Sequence, residues 1–243
     1  MQIITGKTKL LGVIGDPIEH SFSPVMHNAA IAHLNLNYVY LPFKIEPEDL
    51  KTAIAGFRAI DLVGFNVTIP HKQNIIPLLD RLSEDARLVG AVNTVWRDGS
   101  SWCGTNTDVE GFLAPLKNIE RDWRKIKAIV LGNGGAARAV VVGLYRLGCK
   151  DICVFGRDIN KLRSFKDNWQ DSEVKDAITI EEMAELDGYA PLGEICINCT
   201  PIGMYPHSHF SPVSSEIIAK FPVNAIFYDL IYNPRPTEFL KIA

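Results

Sequence analysis

The sequence predicts an α/β protein built from two open α/β domains, and three observations support this prediction. Short apolar runs alternate with helix-like stretches along the whole chain, which is typical of open, mainly parallel sheets covered by helices. A glycine-rich segment at residues 132–137 directly follows one apolar run and precedes a helix-like stretch. With 243 residues the chain has room for one large or two small domains.

Composition places the chain among ordinary globular proteins and excludes several functional classes. Hydrophobic residues make up 47% of the chain, which is enough apolar mass to form a packed core. The net charge of −3 argues against a nucleic-acid-binding face. No apolar run approaches the ~18–20 residues that a membrane span requires, and no signal sequence is recognisable. The five cysteines have no framework spacing, so we expect a reducing, cytoplasmic setting.

In the first half, local signals predict alternating strands and helices. Pro24 suits the first position of a helix, with Ser23 as its N-cap, and Glu48 and Asp49 suit the first turn of the next helix. Asp98-Gly99 predicts a hairpin turn. The expected elements are strands at 9–15, 38–43 and 62–68, helices at 24–34, 47–57, 70–79 and 84–89, and hairpin strands at 91–96 and 102–105.

The second half repeats the alternation. Gly148 is expected to close the helix that follows the glycine-rich segment, and Thr237 is expected to cap a helix beginning at 237–243. The expected elements are helices at 109–116, from the glycine-rich segment to 147, and at 161–169, with strands at 127–131, 152–155, 195–199 and 225–230. We expect domains at 1–107 and 108–232, followed by a segment at 233–243 that begins a return to the first domain.

The glycine-rich segment has the pattern of a dinucleotide-binding loop. Gly132 permits a tight turn, Gly134 lets the backbone approach a pyrophosphate, and the small Ala137 lets helix and strand pack closely. The simpler alternative is a tight strand-to-helix turn without a ligand. Because a strand precedes this loop and a helix follows it, we expect this half of the chain to be a Rossmann domain.

The end of the next strand bears on which dinucleotide binds. Arg157, with Lys161 one helical turn later, favours the 2′-phosphate of NADP. Asp158 instead favours NAD, unless its carboxylate caps the helix that follows.

Polar side chains gather where strands of the first half end, the edge at which open α/β sheets bind ligands. Hydroxyls, amides, one lysine and one carboxylate suit a small polyhydroxylated anion. Taken singly, Ser23 and Asp108 are also plausible helix caps, and Lys72 a solvated surface residue. The residues are Ser21, Ser23, Asn66, Thr68, Lys72, Asn93, Thr94, Asn106 and Asp108.

Three other polar features are given structural interpretations. His27 is expected to be a structural hydrogen bonder, and His71 to be exposed beside Lys72. Cys196 and Cys199, with two histidines downstream, superficially suggest zinc. Strand residues three apart point to opposite faces, so we expect no metal there.

Six blocks in order along the chain resemble the signature blocks of the shikimate dehydrogenase family, and the sequence around them resembles cyanobacterial members. The match covers nearly the whole chain. The blocks are SFSPVMHN at 21–28, NVTIPHK at 66–72, GAVNT at 90–94, GTNTDVEG at 104–111, NCTPIGM at 198–204 and DLIYNPRPT at 229–237.

The resemblance implies NADPH-dependent reduction of 3-dehydroshikimate to shikimate in aromatic amino-acid biosynthesis, by a monomer or homodimer with an N-terminal substrate domain. It implies Lys72 and Asp108 as the catalytic pair. The implied substrate residues are Ser21, Ser23, Asn66, Thr68, Asn93 and Tyr232. The implied NADP residues are Gly132, Asn133, Gly134, Gly135 and Ala136 at the pyrophosphate, Gly156, Arg157, Asp158 and Lys161 near the 2′-phosphate, and Glu84, Thr200 and Leu230 elsewhere on the cofactor.

Two departures from the family pattern leave alternatives open. Gly156-Arg157-Asp158 replaces the usual Asn-Arg-Thr, which admits a quinate/shikimate dehydrogenase that uses NAD. The family's Gly-x-x-Met-Leu-x-x-Gln block is not among these residues. The sequence is therefore expected to be either a shortened form, less stable and with weaker shikimate affinity, or a non-catalytic NADP-binding paralogue.

Overall fold

The computed structural model describes residues 4–243. The chain forms two compact units, Met1–Thr107 and Asp108–Ala243, and each contains strands and helices in alternation. The predicted α/β class with two domains is confirmed. Among the described residues, no helix has both the length and the hydropathy that a bilayer crossing requires.

Unit one contains a mixed sheet. In chain order its elements are β1 (Lys9–Gly15), α1 (Ser23–His33), β2 (Tyr38–Lys44), α2 (Leu50–Ala59), β3 (Gly64–Val67), α3 (His71–Asn74), β4 (Arg81–Leu82), α4 (Glu84–Val89), β5 (Thr94–Asp98) and β6 (Ser101–Thr105). Short 3₁₀ turns lie at Pro47–Asp49 and Ile76–Leu78. The sheet order is β2-β1-β3-β5-β6-β4, with β1, β2 and β3 parallel and the β5–β6 hairpin antiparallel.

The core of unit one lies between this sheet and its helices. Helix α2 buries Leu50, Ile54 and Phe57, which are spaced four and three residues apart and therefore share one face. Phe57 stacks at a tilt on Phe65 of β3, and Phe65 meets Trp102 of β6 edge-on. These aromatic contacts connect the helix layer to the middle of the sheet.

Two helix predictions for unit one are wrong, one at the start of α1 and one inside the helix expected at 70–79. Phe22, and not Ser23, occupies the N-cap of α1, and Ser23 is already the first helical residue. The helix expected at 70–79 is broken into α3 and a 3₁₀ turn. Pro77 accounts for the break, because it has no N–H and its ring would clash inside a continuous helix.

Unit two contains a parallel sheet. In chain order its elements are α5 (Asp108–Leu116), β7 (Lys127–Leu131), α6 (Gly135–Arg146), β8 (Asp151–Gly156), α7 (Ile159–Asp167), β9 (Ile178–Glu182), α8 (Leu186–Tyr189), β10 (Ile195–Asn198), α9 (Ser215–Ile218), β11 (Ile226–Asp229) and α10 (Glu238–Ile242). Further 3₁₀ turns lie at Trp123–Lys125, Glu173–Ala177, Met183–Glu185 and Ala190–Leu192. The sheet order is β11-β10-β7-β8-β9, all parallel.

The central strands β7 and β10 are almost entirely buried, as expected for a parallel sheet covered on both faces. In β7 only Lys127 is not fully buried, and all four residues of β10 are buried. The sequence analysis missed the edge strand β9, the two-residue strand β4 and the short helices α8 and α9.

Helix α10 packs against β11 within unit two. The side chain of Phe239 is fully buried and meets Phe227 of β11 edge-on. Thr237 caps the helix as predicted, accepting a hydrogen bond from Leu240 N, and its hydroxyl donates to Asp229 Oδ2 at 2.6 Å. These contacts stabilise a helix that would be too short to persist alone.

Candidate active site

The polar clusters of unit one meet where β1 and β3 end side by side. Ile14 of β1 pairs with Val67 of β3, and Thr68 N donates to Ile14 O at 3.0 Å. A Cβ on Gly15 would come within 2.5 Å of the Thr68 methyl, so only glycine allows this approach. The predicted substrate residues Ser21 and Thr68 therefore follow adjacent strand ends, and both are half-buried.

Asn66 and Asn93 are joined through a hydrogen-bond network. Asn66 Nδ2 donates to Asn93 O at 3.3 Å and to Thr94 Oγ1 at 3.1 Å. Asn93 Oδ1 accepts from Thr94 Oγ1 at 2.9 Å and from Thr107 N at 3.0 Å. Asn93 Nδ2 donates to Thr107 Oγ1 at 2.9 Å. The two amides therefore have fixed orientations, because each is bound on both its oxygen and its nitrogen.

Sequence reasoning missed Tyr40, which extends this network. Its phenol donates to Asn66 Oδ1 at 2.7 Å. Residues Tyr38 and Tyr40 share one face of β2, and a buried tyrosine hydroxyl usually finds a polar partner. The two tyrosines on one face of β2 were the sequence signal that could have identified Tyr40. It did not identify the partner, because Asn66 comes from another strand, β3.

Ser21 and Ser23 lie at the start of α1. Ser21 Oγ accepts a hydrogen bond from Ser23 N at 3.3 Å, so Ser21 provides a polar partner to the first turn of the helix. The ring of His27 stacks on Tyr40 with centroids 4.3 Å apart, and partial burial lowers the pKa of this imidazole. The stacking of His27 on Tyr40 is a structural contact, whereas the hydrogen bond expected of His27 stays a prediction.

His71 is buried, so the expectation that it is exposed is wrong. Its Nε2 lies 2.7 Å from Ile45 O, and because a carbonyl only accepts, Nε2 donates this bond. The next residue, Lys72, is half-buried, and its carbonyl accepts from Val92 N at 2.7 Å. The backbone of α3 is thus held on both sides, by a buried imidazole and by the segment that leads into β5. Asn106, at 2% exposure, likewise donates to Ala91 O at 3.0 Å.

The remaining predicted residues of this group are distributed over both units. Asp108 is the first residue of α5 in unit two and is half-buried. Tyr232, 66% exposed, follows β11 in unit two. Glu84 is the exposed first residue of α4 in unit one. The predicted pairing of Lys72 with Asp108 stays a prediction.

The glycine loop of unit two has the backbone that a phosphate-binding turn needs. Gly132 has φ +99°, in the region that favours glycine, and its N–H donates to Phe155 O at 2.8 Å. Gly134 is the N-cap of α6, with no side-chain capping bond. A Cβ built on Gly134 meets no atom within 4 Å. The N-terminus of α6 is therefore open above Gly134, and pyrophosphate binding there stays a prediction.

The ends of β7, β10 and β11 lie at the same edge of the parallel sheet. A Cβ on Gly132 would lie 3.0 Å from the methyl of Thr200, which follows β10, and Thr200 Oγ1 donates to Asn198 Oδ1 at 2.7 Å. Leu230 N, after β11, donates to Asn198 O at 3.2 Å. The predicted cofactor residues Gly132, Thr200 and Leu230 are thus brought to one edge of the sheet.

The end of β8 carries the residues expected at the 2′-phosphate. Arg157 and Lys161 are exposed, and within residues 4–243 neither forms a salt bridge. Asp158 caps α7, with Oδ1 accepting from Asn160 N at 2.9 Å and Lys161 N at 3.3 Å. The capping alternative for Asp158 is therefore confirmed. A Cβ on Gly156 would lie 3.0 Å from Leu162, so this glycine lets α7 pack against the strand.

Cys196 in β10 is buried, and Cys199, directly after the strand, is half-buried. Burial raises the pKa of Cys196, and burial together with the Asp229 carboxylate raises that of Cys199. Both effects favour the protonated thiol over the thiolate that binds metals. Across residues 4–243, no three His, Cys, Asp or Glu side chains are grouped so as to hold a metal ion.

Comparison with known proteins identifies the family. The model of the shikimate dehydrogenase substrate binding domain matches residues 13–95. A shikimate dehydrogenase (NADP(+)) of Crocosphaera subtropica is 60% identical over 243 residues, which are 100% of this chain and 84% of the relative.

Solved structures agree with these sequence matches. A crystal structure of shikimate dehydrogenase in complex with NADP+ has a TM-score of 0.85 and 42% identity, over 99% of this chain and 83% of that one. A Listeria monocytogenes shikimate 5-dehydrogenase in complex with shikimate and NAD also has a TM-score of 0.85, at 36% identity, over 100% of this chain and 85% of that one. The high identity over the whole chain, together with the two matching folds, shows that this chain belongs to the shikimate dehydrogenase family.

Proposed function

We propose that this protein catalyses the reversible, NADP-dependent interconversion of shikimate and 3-dehydroshikimate, a step of aromatic amino-acid biosynthesis. The observation that carries the proposal is the 60% identity, over the whole chain, to a relative named shikimate dehydrogenase (NADP(+)). The polar strand ends of unit one and the open glycine loop of unit two support it, because the reaction needs a site for a hydroxylated anion and one for a dinucleotide.

The residues of unit two fit NADP. Open space above Gly134 accommodates a pyrophosphate, which the N–H groups at the start of α6 would bind. Arg157 and Lys161 would bind a 2′-phosphate, because they are exposed cations without salt bridges among the described residues. The Asp158 carboxylate is engaged in capping α7, which weakens the argument that it selects NAD. When bound, the nicotinamide supplies the hydride acceptor or donor.

Unit one supplies the substrate-binding groups. Ser21, Ser23, Asn66, Thr68 and Asn93 present hydroxyls and amides, which suit the hydroxyl and carboxylate groups of shikimate. Tyr232 of unit two is proposed as a further substrate contact, on the resemblance alone.

The roles of the two domains follow from where the proposed substrate and cofactor residues lie. We assign substrate binding to residues 1–107 and cofactor binding to residues 108–232, and residues 233–243 remain a separate segment in this proposal.

Lys72 is proposed to move the proton. In the reducing direction, the Nζ ammonium would donate a proton to the oxygen of the developing alkoxide and stabilise its charge. In the oxidising direction, the neutral amine would accept the hydroxyl proton. Asp108 would orient Nζ towards the reacting oxygen. Both side chains are half-buried, so solvent water can reach them and exchange the proton after each turnover.

Initial rates with shikimate or quinate, each with NADP+ or NAD+, test this proposal. We expect shikimate with NADP+ to give the highest kcat/KM. Higher kcat/KM with NAD+ would favour the alternative, a quinate/shikimate dehydrogenase that uses NAD. NADP+ binding by calorimetry without any oxidation would instead favour a non-catalytic paralogue.

Location and assembly are also part of the proposal. All five cysteines are free, four of them buried, which suits a reducing cytoplasm. The net charge of −3 supports the absence of a nucleic-acid partner. We propose that the enzyme is a monomer or a homodimer, which sedimentation of the purified protein would decide.

A further inference from the structure

Thr200 lies on the side of the glycine loop where the sheet topology places the nicotinamide half of NADP. The sheet order of unit two is β11-β10-β7-β8-β9, so β10 and β8 are on opposite sides of β7. The proposed 2′-phosphate residues Arg157 and Lys161 follow β8, and a dinucleotide crosses such a sheet at the point where the strand order reverses. The nicotinamide riboside of bound NADP would therefore lie over the end of β10, where Thr200 is half-buried.

The orientation of the Asn198 side-chain amide follows from its partners. Thr200 N can only donate, and it lies 2.9 Å from Asn198 Oδ1, so this end of the amide must be the oxygen. The other end, Nδ2, donates to Asp229 Oδ1 at 3.1 Å and to the carbonyl of Ile202 at 3.3 Å. A carbonyl can only accept, so the partners at both ends of the amide require the same orientation.

The Thr200 hydroxyl is thereby fixed as a hydrogen-bond acceptor. Its one proton is donated to Asn198 Oδ1 at 2.7 Å, because that oxygen can only accept. Ile202 N donates to the same hydroxyl at 3.2 Å and occupies one of its two lone pairs. The hydroxyl can therefore offer a ligand one lone pair and no proton.

Asn198 is itself held in place by its surroundings. It is fully buried, and its backbone carbonyl accepts from Leu230 N at 3.2 Å. The Asp229 carboxylate that receives its amide N–H also accepts from Ile231 N at 3.0 Å and from the Thr237 hydroxyl at 2.6 Å. Rotation of the Asn198 amide would break hydrogen bonds at both of its ends, so its orientation is stable.

We propose that Thr200 accepts a hydrogen bond from the nicotinamide riboside half of NADP, and that Asn198 is the positioning residue that makes Thr200 an acceptor. The proposal rests on the proposed function, because it takes NADP as the ligand of unit two. The pyrophosphate oxygens accept hydrogen bonds and do not donate them, so they cannot be the partner of this hydroxyl. The ribose hydroxyls and the carboxamide N–H of the nicotinamide are the donors on that half of the cofactor.

Thr200→Val tests the proposal, because it removes the hydroxyl and keeps a methyl group towards Gly132. Calorimetry compares NADP+ with adenosine 2′-phosphate 5′-diphosphate, which has every phosphate of NADP and lacks the nicotinamide riboside. We expect the Kd for NADP+ to rise about 2- to 12-fold, the range for one lost neutral hydrogen bond, and the other Kd to stay unchanged. Thr179→Val makes the same change at an exposed position of the edge strand β9 and should alter neither Kd.

A third ligand, 2′-phospho-ADP-ribose, identifies the donor on the cofactor. It keeps the second ribose of NADP and lacks the nicotinamide. If Thr200→Val weakens the binding of this ligand as it weakens that of NADP+, a ribose hydroxyl is the donor. If only NADP+ binding is weakened, the carboxamide is the donor. Both results support the proposal.

Two substitutions of Asn198 separate positioning from a structural role. Asn198→Ala frees the Thr200 hydroxyl to turn its proton towards the ligand, so the Kd for NADP+ should rise by a similar factor. In a Thr200→Val background the same substitution should add little. Asn198→Asp keeps an oxygen that accepts from Thr200, but it places a second carboxyl group beside Asp229. This variant should therefore melt at a lower temperature and still bind NADP+ within about 3-fold of the wild type. With a merely structural role, NADP+ affinity would fall together with the melting temperature in both variants.

Several outcomes contradict the account. Equal weakening of NADP+ and of adenosine 2′-phosphate 5′-diphosphate in Thr200→Val would place the hydroxyl at the phosphates, and unchanged affinity for both would remove the contact. Either result overturns the proposal. Additive effects of Asn198→Ala and Thr200→Val would overturn the positioning role. All three results leave the proposed function intact, provided that the wild-type protein binds NADP+ and oxidises shikimate. A wild-type protein that binds no NADP+ would refute the proposed function and, with it, the role of Thr200.

Discussion

The substitution Gly134→Ala adds a methyl group that should weaken NADP+ binding and leave the stability of the protein nearly unchanged. Gly134 has φ −85° and ψ −172°, which alanine adopts freely, and its Cβ would meet no protein atom within 4 Å. Restricting the unfolded chain would stabilise the variant by about 0.4–1 kcal/mol, whereas alanine is a poorer N-cap than glycine by a similar amount. The two effects nearly cancel, so the melting temperature should stay within about 2–4 °C of the wild type.

The same methyl group would project into the space that the pyrophosphate needs. Displacing the phosphates from the N–H groups of α6 would weaken at least one charge-assisted hydrogen bond, worth about 1.5–3 kcal/mol. We therefore expect the Kd for NADP+, measured by calorimetry, to rise about 10- to 100-fold.

Two further glycine variants serve as comparisons for Gly134→Ala. Gly56→Ala is the matched control, because its Cβ is also unobstructed but lies in α2 of unit one. It should leave NADP+ binding unchanged. Gly132→Ala should lower both stability and NADP+ affinity, because its φ of +99° is strained for alanine and its Cβ would approach Thr200 to 3.0 Å. Unchanged NADP+ affinity in Gly134→Ala would refute the assignment of this loop to the pyrophosphate.

Two other substitutions test the cofactor preference and the end of the chain. Arg157→Ala should raise the KM for NADP+ by about 10-fold or more and leave the KM for NAD+ unchanged, because an arginine–phosphate bond is lost only with NADP+. Equal effects on both cofactors in initial-rate assays would remove Arg157 from the 2′-phosphate site. Phe239→Ala should destabilise the protein by about 3–5 kcal/mol, because this fully buried ring anchors α10 against Phe227. A urea midpoint equal to that of the wild type would show that α10 does not contribute to the fold.

The features that the sequence predicted well are encoded within a few neighbouring residues. Strand β7 and the loop after it combine a continuous apolar run, glycines with distinct roles and an apolar helix face, all within residues 127–146. Helix α4 was also predicted with its observed bounds, since Ser83 caps its start and Gly90, with φ +64°, ends it. Local signals suffice in these cases because the interactions that stabilise each element lie in the same segment.

The errors arose where the deciding contact comes from elsewhere in the chain or from a single residue within an apparent pattern. His71 is buried because the carbonyl of Ile45, which directly follows β2, accepts its Nε2 proton. Tyr40 in β2 donates its phenolic proton to Asn66 in β3, and no local pattern connects the two residues. Pro77 does carry a local signal, but the apolar residues around it resembled a continuous helix.

The missed strands have a different explanation. Strand β9 lies at the edge of its sheet and ends in two acidic residues, so it lacks the apolar run that identified β7 and β10. Strand β4 has only two residues, fewer than any periodicity can reveal. Their existence is decided by pairing with β8 and β6, which is a tertiary interaction.

The most direct test of the account is the kcat of Lys72→Ala for shikimate oxidation with saturating NADP+. Lys72 is half-buried and its backbone carbonyl already binds Val92, so the substitution should leave the fold intact. We predict a kcat lower by about 10²- to 10⁴-fold, the usual contribution of a general acid–base group, with the KM for NADP+ unchanged. A Lys72→Ala protein that retains near-full kcat would contradict the central claim that Lys72 moves the proton.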